Sequence, residues 1–285
     1  MKGKEIFKLN NVIIKPTGGL ANRMRVLESA YNYSIAYKSN LIIIWERNSD
    51  LNAKFSDCLE DIPGVKVIDL NFSGRNTFSK IRRKVLLFWQ FFYTSYNANK
   101  KVVDEEIKAI ENYKDEKVLE KLFVEYAKEN KGLYLYICYS FYSNYNNFFV
   151  KINKKVADKG KYLLQDVGQI TGVHIRRTDH VESIENSPLQ LFIDEIKSVL
   201  SEFPAMKFYL STDSDEVVDQ LKEEFNDIII TGVTNRSRDT KDGIESALLD
   251  LYCLSCCKEI LGSHNSTFSE RAALMGNIPL RIVSK

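Results

Sequence analysis

Apolar and polar positions alternate along this chain in blocks that name most of its elements. Residues 12–15 form a short apolar run that predicts a strand. It enters Pro16-Thr17-Gly18-Gly19, after which apolar residues recur at 24, 27, 30, 31 and 35. That spacing follows one face of a helix and predicts one from about 21 to 37. Residues 41–45 are apolar throughout, as a strand buried on both faces of a parallel sheet would be. Strand, Gly turn, helix and strand make a βαβ unit.

From residue 169 the pattern becomes regular. Strands are predicted at 170–174, 207–211, 227–230, 259–261 and 279–283. Helices are predicted between them at 188–201, 214–225, 242–254 and 267–275. Such alternation is the signature of a doubly wound α/β domain. The five prolines, at 16, 63, 188, 204 and 279, fall at predicted element edges.

Residues 51–165 give a weaker pattern. The segment 81–96 is apolar and aromatic after a basic start, 102–129 is charged and helical, and 134–142 is aromatic and strand-like. The Asn-, Tyr- and Lys-rich stretch 143–164 has room for a linker and a short amphipathic helix. The expected organisation is an N-terminal α/β domain at 1–150 and a C-terminal Rossmann-like domain at 151–285. Two such halves facing a cleft would hold a ligand there.

Composition narrows the class. The chain has 285 residues, 44% of them apolar and 27% charged, as in an ordinary globular protein. A net charge of +2 argues against nucleic acid as a partner. No apolar run reaches the roughly 18 residues a membrane span needs. The N-terminus lacks an apolar core of signal-peptide length, and the five scattered cysteines read as reduced thiols, so a cytoplasmic location is expected. Cys253 and Cys256 form a C-x-x-C, but without a second ligand pair, and the helical spacing around them points to packing rather than zinc.

Candidate chemistry lies at predicted strand ends. Strand 170–174 runs into His174-Ile175-Arg176-Arg177-Thr178-Asp179. Two adjacent guanidiniums suit capture of a phosphate or carboxylate, and ligands of open α/β sheets bind outside the strands' carboxyl ends. Strand alternation would point one Arg at the ligand and the other inward, and Asp179 would orient one of them. At the next strand end, Ser211 or Asp213 is placed to read a base or ribose. Asp213-Ser214-Asp215 also spells D-x-D, a metal-holding pattern, or simply a helix N-cap. Gly262-Ser263-His264-Asn265-Ser266-Thr267-Phe268-Ser269 opens a helix whose hydroxyls and free N–H groups suit a phosphate. In the first half, Gly18-Gly19 allows close backbone approach, with Asn22 and Arg23 in the first turn of the helix that follows, expected to face the same cleft. Glu182 and Glu185, in a predicted loop at 181–187, are candidate general bases. Arg82-Arg83-Lys84 precedes the aromatic run 85–93. A buried helix is the expected reading of 81–93, and peripheral contact with a membrane is the alternative.

Together these motifs resemble the fucosyltransferase superfamily of bacterial α1,2-fucosyltransferases, α1,6-fucosyltransferases and protein O-fucosyltransferases. Gly18-Gly19-Leu20-Ala21-Asn22-Arg23 looks like its N-terminal Gly-rich motif. His174-Ile175-Arg176-Arg177-Thr178-Asp179 is similar to the H-x-R-R-T-D motif of the α1,6 group, although His180 stands where that group has Lys. Leu210-Ser211-Thr212-Asp213 resembles the second motif and Ser266-Thr267-Phe268-Ser269 the third. The resemblance covers 12–45 and 170–276. It implies a GT-B-like fold of two Rossmann-like domains, GDP-fucose as donor, no cofactor, and metal-independent inverting transfer to a glycan hydroxyl. By the match, Arg176 would hold the β-phosphate with Arg177 in support. His174 and Asp213 would contact guanosine. Ser266, Thr267 and Phe268 would line the diphosphate, and Gly19, Asn22 and Arg23 would close the cleft from the acceptor-side domain. The acceptor would be a surface-polysaccharide precursor, lipid-linked if 81–93 meets the inner membrane. The residues alone leave open another nucleotide sugar, a metal-dependent transferase built on D-x-D, or a nucleotide- or glycan-binding module without turnover.

Overall fold

The computed structural model describes residues 9–74, 76–143, 148–178, 181–233, 235–237 and 239–285. The chain divides into two compact units, Met1–Lys151 and Ile152–Lys285.

Unit 1 runs β1 (Asn11–Pro16), α1 (Leu20–Ala36), β2 (Asn40–Arg47), α2 (Phe55–Cys58), β3 (Lys66–Asn71), α3 (Thr77–Asn97), β4 (Lys100–Val103), α4 (Asp104–Lys108), α5 (Glu116–Glu129) and β5 (Gly132–Ile137). Its five strands are all parallel, in the order β3-β2-β1-β5-β4. β1, β2 and β5 are buried and apolar, and they take the centre. β3 and β4 carry more polar and partly exposed positions and lie at the edges, where one side needs no cover. One core cluster joins Ile13, Ile42, Ile44, Leu70, Phe72 and Tyr134.

The expectation for 81–96 is half right. The helix exists, but its apolar side is not buried. Its inner face is Arg82, Leu86, Gln90, Tyr93, Thr94 and Asn97, of which only Gln90 and Thr94 are fully buried. Gln90 Nε2 donates to Tyr134 Oη at 2.7 Å, while its Oε1 accepts from Lys15 Nζ at 3.3 Å. Lys15 is itself buried and paired with Glu46. Polar partners on the domain surface therefore turn α3 against its own hydrophobic pattern. Among the described residues no helix is long and apolar enough to cross a membrane.

Unit 2 runs α6 (Lys154–Leu164), β6 (Ile170–Ile175), α7 (Val181–Asn186), α8 (Leu189–Glu202), β7 (Lys207–Thr212), α9 (Asp215–Phe225), β8 (Ile229–Ile230), α10 (Lys241–Ser255), β9 (Ile260–Ser263), α11 (Thr267–Gly276) and β10 (Leu280–Val283). Its parallel sheet has the order β10-β9-β6-β7-β8, as the regular pattern after 169 predicts. β6 is buried at every position and forms the centre. Val173, Ile175, Phe192, Ile196, Phe208, Leu210, Leu221 and Leu261 lead the core of one face. On the other face α10 lies close against the sheet. A Cβ at Gly172 would come within 2.9 Å of the end of the Leu254 side chain, so glycine there lets α10 pack close. Cys257 lies in the same contact, and Cys253 against Gly160 of α6; both are buried free thiols.

Residues 181–187 are not a loop. α7 takes up six of them. The stretch between Asp179 and Pro188 is too short for an apolar period to declare itself, but Glu182 in its first turn suits a helix start.

Candidate functional site

The site in unit 2 grows from the aligned ends of three strands. In the sheet register His174 lies beside Ser211 of β7 and Gly262 of β9. The chain leaves β6 after Ile175, and its next amides are caught by those neighbours. Arg176 N donates to Ser263 Oγ at 3.0 Å, and Ser263 Oγ donates to the His174 carbonyl at 3.2 Å. Arg177 N donates to Asp213 Oδ1 at 2.7 Å, and Thr178 Oγ1 to Asp213 Oδ2 at 2.7 Å. The Arg176 guanidinium reaches the same carboxylate, Nε to Oδ2, at 3.3 Å. Asp213 is thus the anchor of the Arg176–Thr178 turn. Both its oxygens accept from protein donors, and the contact with base or ribose expected from the sequence would share them.

The two guanidiniums diverge beyond the strand end. Arg176 stays half-buried beside Asp213. Arg177 turns away, donating from Nη2 to the Ser187 carbonyl at 2.7 Å and from Nη1 to its neighbour's carbonyl at 3.2 Å. Burial lowers the Arg177 pKa, with Asp213 opposing. Arg177 therefore secures the junction between α7 and α8. Asp179, expected to orient an Arg, lies outside the described residues.

His174 is buried, its ring stacked on Phe268 with centroids 5.0 Å apart and planes 27° apart. Nδ1 shares a long 3.3 Å hydrogen bond with Ser266 Oγ. Burial, aided by the charge of Arg176 and opposed by Asp213, pushes the ring's pKa down to about 4, so it is neutral at physiological pH. Ser266 is the N-cap of α11, yet its hydroxyl caps no N–H of that helix. In α9 and α10, by contrast, Ser214 and Thr240 do cap. The α11 N-terminus thus keeps its first-turn donors for an anion, next to the His174–Phe268 stack.

α7 is latched to the same loop. Ser183 Oγ donates to the His264 carbonyl at 2.6 Å, and the His264 amide donates to Ser187 Oγ at 2.8 Å. Glu182 accepts from Asn265 Nδ2 at 2.9 Å and is exposed. Glu185 is exposed. Of the two candidate bases, then, one is engaged by a protein amide.

Two further polar positions of the motifs are engaged by the protein itself. Ser211 does not face a ligand; it donates to Asp250 Oδ2 at 2.8 Å beneath the sheet, as Tyr209 Oη does to Oδ1 at 2.7 Å. Burial pushes Asp250 up to about 7 against both of these hydrogen bonds. The D-x-D pair is split, because Asp215 pairs with Arg236, whose Nε also donates to the Thr212 carbonyl at 2.9 Å.

Arg23, in unit 1, is fully buried instead of facing outward. Its guanidinium donates to the Gly18 carbonyl at 2.9 Å, the Glu46 carbonyl at 2.6 Å and Asn48 Oδ1 at 3.2 Å, and lies 4.9 Å from the Trp45 ring centre. Burial lowers its pKa to about 10, so it remains a cation. Arg23 shapes the Gly-rich turn from beneath. Gly18 sits at φ +74, and a Cβ there would press to 2.9 Å from the Asn22 amide. The Oδ1 of Asn22 is buried without a hydrogen-bond partner. Next to this turn, Asp104 ties the exits of β1 and β5, accepting from Thr17 Oγ1 and from Cys138 N, each at 2.8 Å.

Sequence reasoning missed Ser187, Arg236, Asp250 and Asp104, and did not foresee that Ser263 would hold the Arg176 amide. Their roles rest on contacts between distant parts of the chain, which no local pattern carries.

No family model matches the sequence, and no curated protein matches it. Solved structures do. NodZ α1,6-fucosyltransferase, whose enzyme from Bradyrhizobium has been crystallised, was solved after soaking with GDP-fucose. It matches at 21% identity over 94% of this chain and 93% of that one, with a TM-score of 0.61. NodZ co-crystallised with GDP gives 22% and 0.62 over the same shares. POFUT1 in complex with GDP-fucose matches at 10% over 96% of this chain and 98% of that one, with a TM-score of 0.58. With one parallel five-stranded sheet in each of its two units, the chain has the GT-B-like α/β fold found in the fucosyltransferases NodZ and POFUT1.

Proposed function

We propose that this protein is a fucosyltransferase that moves fucose from GDP-fucose to a glycan hydroxyl with inversion and without a metal. The observation that carries the reading is the meeting of Arg176, the His174–Phe268 stack and the α11 N-terminus in unit 2. A cation and free backbone N–H groups suit a diphosphate, and a neutral aromatic wall suits a ring of the donor. The shared fold with NodZ and POFUT1, both solved with GDP-fucose, supports the same donor.

In this reading the acceptor hydroxyl oxygen attacks the sugar's anomeric carbon from the face opposite the nucleotide. The bond to the β-phosphate oxygen breaks, and its electron pair leaves with GDP. Arg176 and the α11 N–H groups stabilise the charge growing on the diphosphate. The acceptor's proton passes to Glu185, which is assigned as general base because Glu182 is held by Asn265. Arg177 and Asp213 fix the turn that carries Arg176. Thr267 lines the diphosphate beside Ser266 and Phe268. Unit 1 is assigned the acceptor. Such chemistry belongs on a surface-polysaccharide precursor in the cytoplasm, and a lipid-linked acceptor accords with the outward apolar face of α3.

Calorimetric titration with GDP, GDP-fucose, UDP and ADP in EDTA tests the donor class. The expected result is micromolar binding of GDP and GDP-fucose alone, lost in Arg176→Ala, with transfer in that variant reduced at least about a hundredfold. Preference for UDP, or binding only when a divalent metal is supplied, would overturn it in favour of another nucleotide sugar or a metal-dependent transferase.

A further inference from the structure

α3 is an amphipathic helix turned inside out. Its outward face carries Phe78, Ile81, Val85, Phe88, Phe92 and Tyr96, at the three- and four-residue steps of a single helical stripe. All six are exposed, Phe88 at 68% and Phe78 at 73%. Leu87, Trp89 and Phe91 widen the stripe on both sides. Within the patch Phe92 meets Phe88 in a tilted pair, centroids 4.5 Å apart, and Phe91 edge-on, centroids 5.5 Å apart. A contiguous aromatic patch of this kind on a globular surface marks an interaction site.

Charge indicates what meets it. The 21 residues of α3 include Lys80, Arg82, Arg83 and Lys84, and no Asp or Glu. Arg82 and Arg83 donate to the Ser73 and Phe72 carbonyls, at 2.7 and 3.2 Å, while Lys80 and Lys84 are exposed at the stripe's N-terminal end. Large apolar side chains with a purely basic border are what an anionic bilayer surface attracts. The aromatic rings enter the headgroup boundary and the lysines meet the lipid phosphates. A second copy of the chain would bring the same four cations to the contact, and like charges would oppose that pairing. The helix is also too charged to span a membrane, so it would lie in the plane of the surface.

We propose that α3 docks this chain on an anionic lipid surface, with its Phe78–Tyr96 stripe inserted and Lys80 and Lys84 against the headgroups. The inference needs only this helix of unit 1 and is independent of the transfer reading.

Co-sedimentation with vesicles tests it. Vesicles of mixed phosphatidylglycerol and phosphatidylcholine are compared with vesicles of phosphatidylcholine alone, at low and high salt. The expected result is binding to the mixed vesicles that weakens as salt rises. Phe88→Ser/Phe92→Ser should reduce the partition coefficient at least about tenfold, since two inserted rings are lost. Lys80→Glu/Lys84→Glu should abolish the preference for phosphatidylglycerol. All four positions are exposed, and unchanged circular dichroism spectra would verify folding. No binding to the mixed vesicles, or equal binding by Phe88→Ser/Phe92→Ser, would overturn the proposal. A dimer in sedimentation velocity that Phe88→Ser/Phe92→Ser dissociates would also overturn it, because a second copy would then own the face. GDP titration reads unit 2, so failure of either inference leaves the other standing.

Discussion

At the scale of single residues, Arg23 and Asp213 show how far a motif's residue types can be read without their direction. Both sit where the sequence marks chemistry, and both turn their charge on the protein's own backbone. The residue types were legible; their direction was not, because a long Arg side chain in a first helical turn reaches solvent as readily as the carbonyls of a nearby turn and strand end, here Gly18 and Glu46. For Arg23 the distinction can be measured. Its fork satisfies three acceptors from one buried position, which the single ammonium of Lys cannot do. Arg23→Lys should therefore cost unit 1 about 2–3 kcal/mol in denaturant unfolding, while GDP affinity of the folded variant stays as in the parent. A variant of normal stability that binds GDP weakly would return Arg23 to the ligand.

At the scale of elements, the second half of the chain was nearly transparent. β6, β7 and β9 are buried at nearly every position around apolar centres, and the helices α8, α9 and α10 start at Pro, Ser and Thr. The region 51–165 resisted for two physical reasons. β3 and β4 are edge strands whose mixed burial blurs any period, and α3 points its hydrophobic stripe outward, so apolarity misstates which face is covered. α7 was lost to brevity. Elements also determine what Asp213 does. It stands at the end of β7 and holds the turn after β6, so it joins two strand ends that each carry site residues. Asp213→Asn should weaken GDP binding about tenfold, by losing a charge-assisted anchor, while the preference for GDP over UDP is kept. Collapse of that preference in titrations of the variant would instead make Asp213 a reader of the base.

At the scale of the whole molecule, two buried titrating groups pull stability in opposite directions with pH. His174 has a folded pKa near 4, below its unfolded value, so its contribution is lost as pH falls from about 6.5 through 4. Asp250 has a folded pKa near 7, above its unfolded value, so stability is fullest below about pH 4 and declines as pH rises toward 7. The parent's melting profile blends the two, and comparison with Asp250→Asn separates them. The variant's melting temperature should gain on the parent's between pH 4 and 7, by an amount equivalent to roughly 4 kcal/mol at full ionisation. A constant difference across that range would mean that Asp250 titrates normally in the folded state. One consequence of the Arg176–Thr178 turn is kinetic. Its amides are caught by Ser263 and Asp213, 87 and 36 positions further along the chain. Loops of that length close slowly and only after the intervening strands have docked. The Arg176–Thr178 turn is thus among the last parts of unit 2 to form, and a chain released before β9 is in place has folded elements but lacks the strand-end turn that presents Arg176.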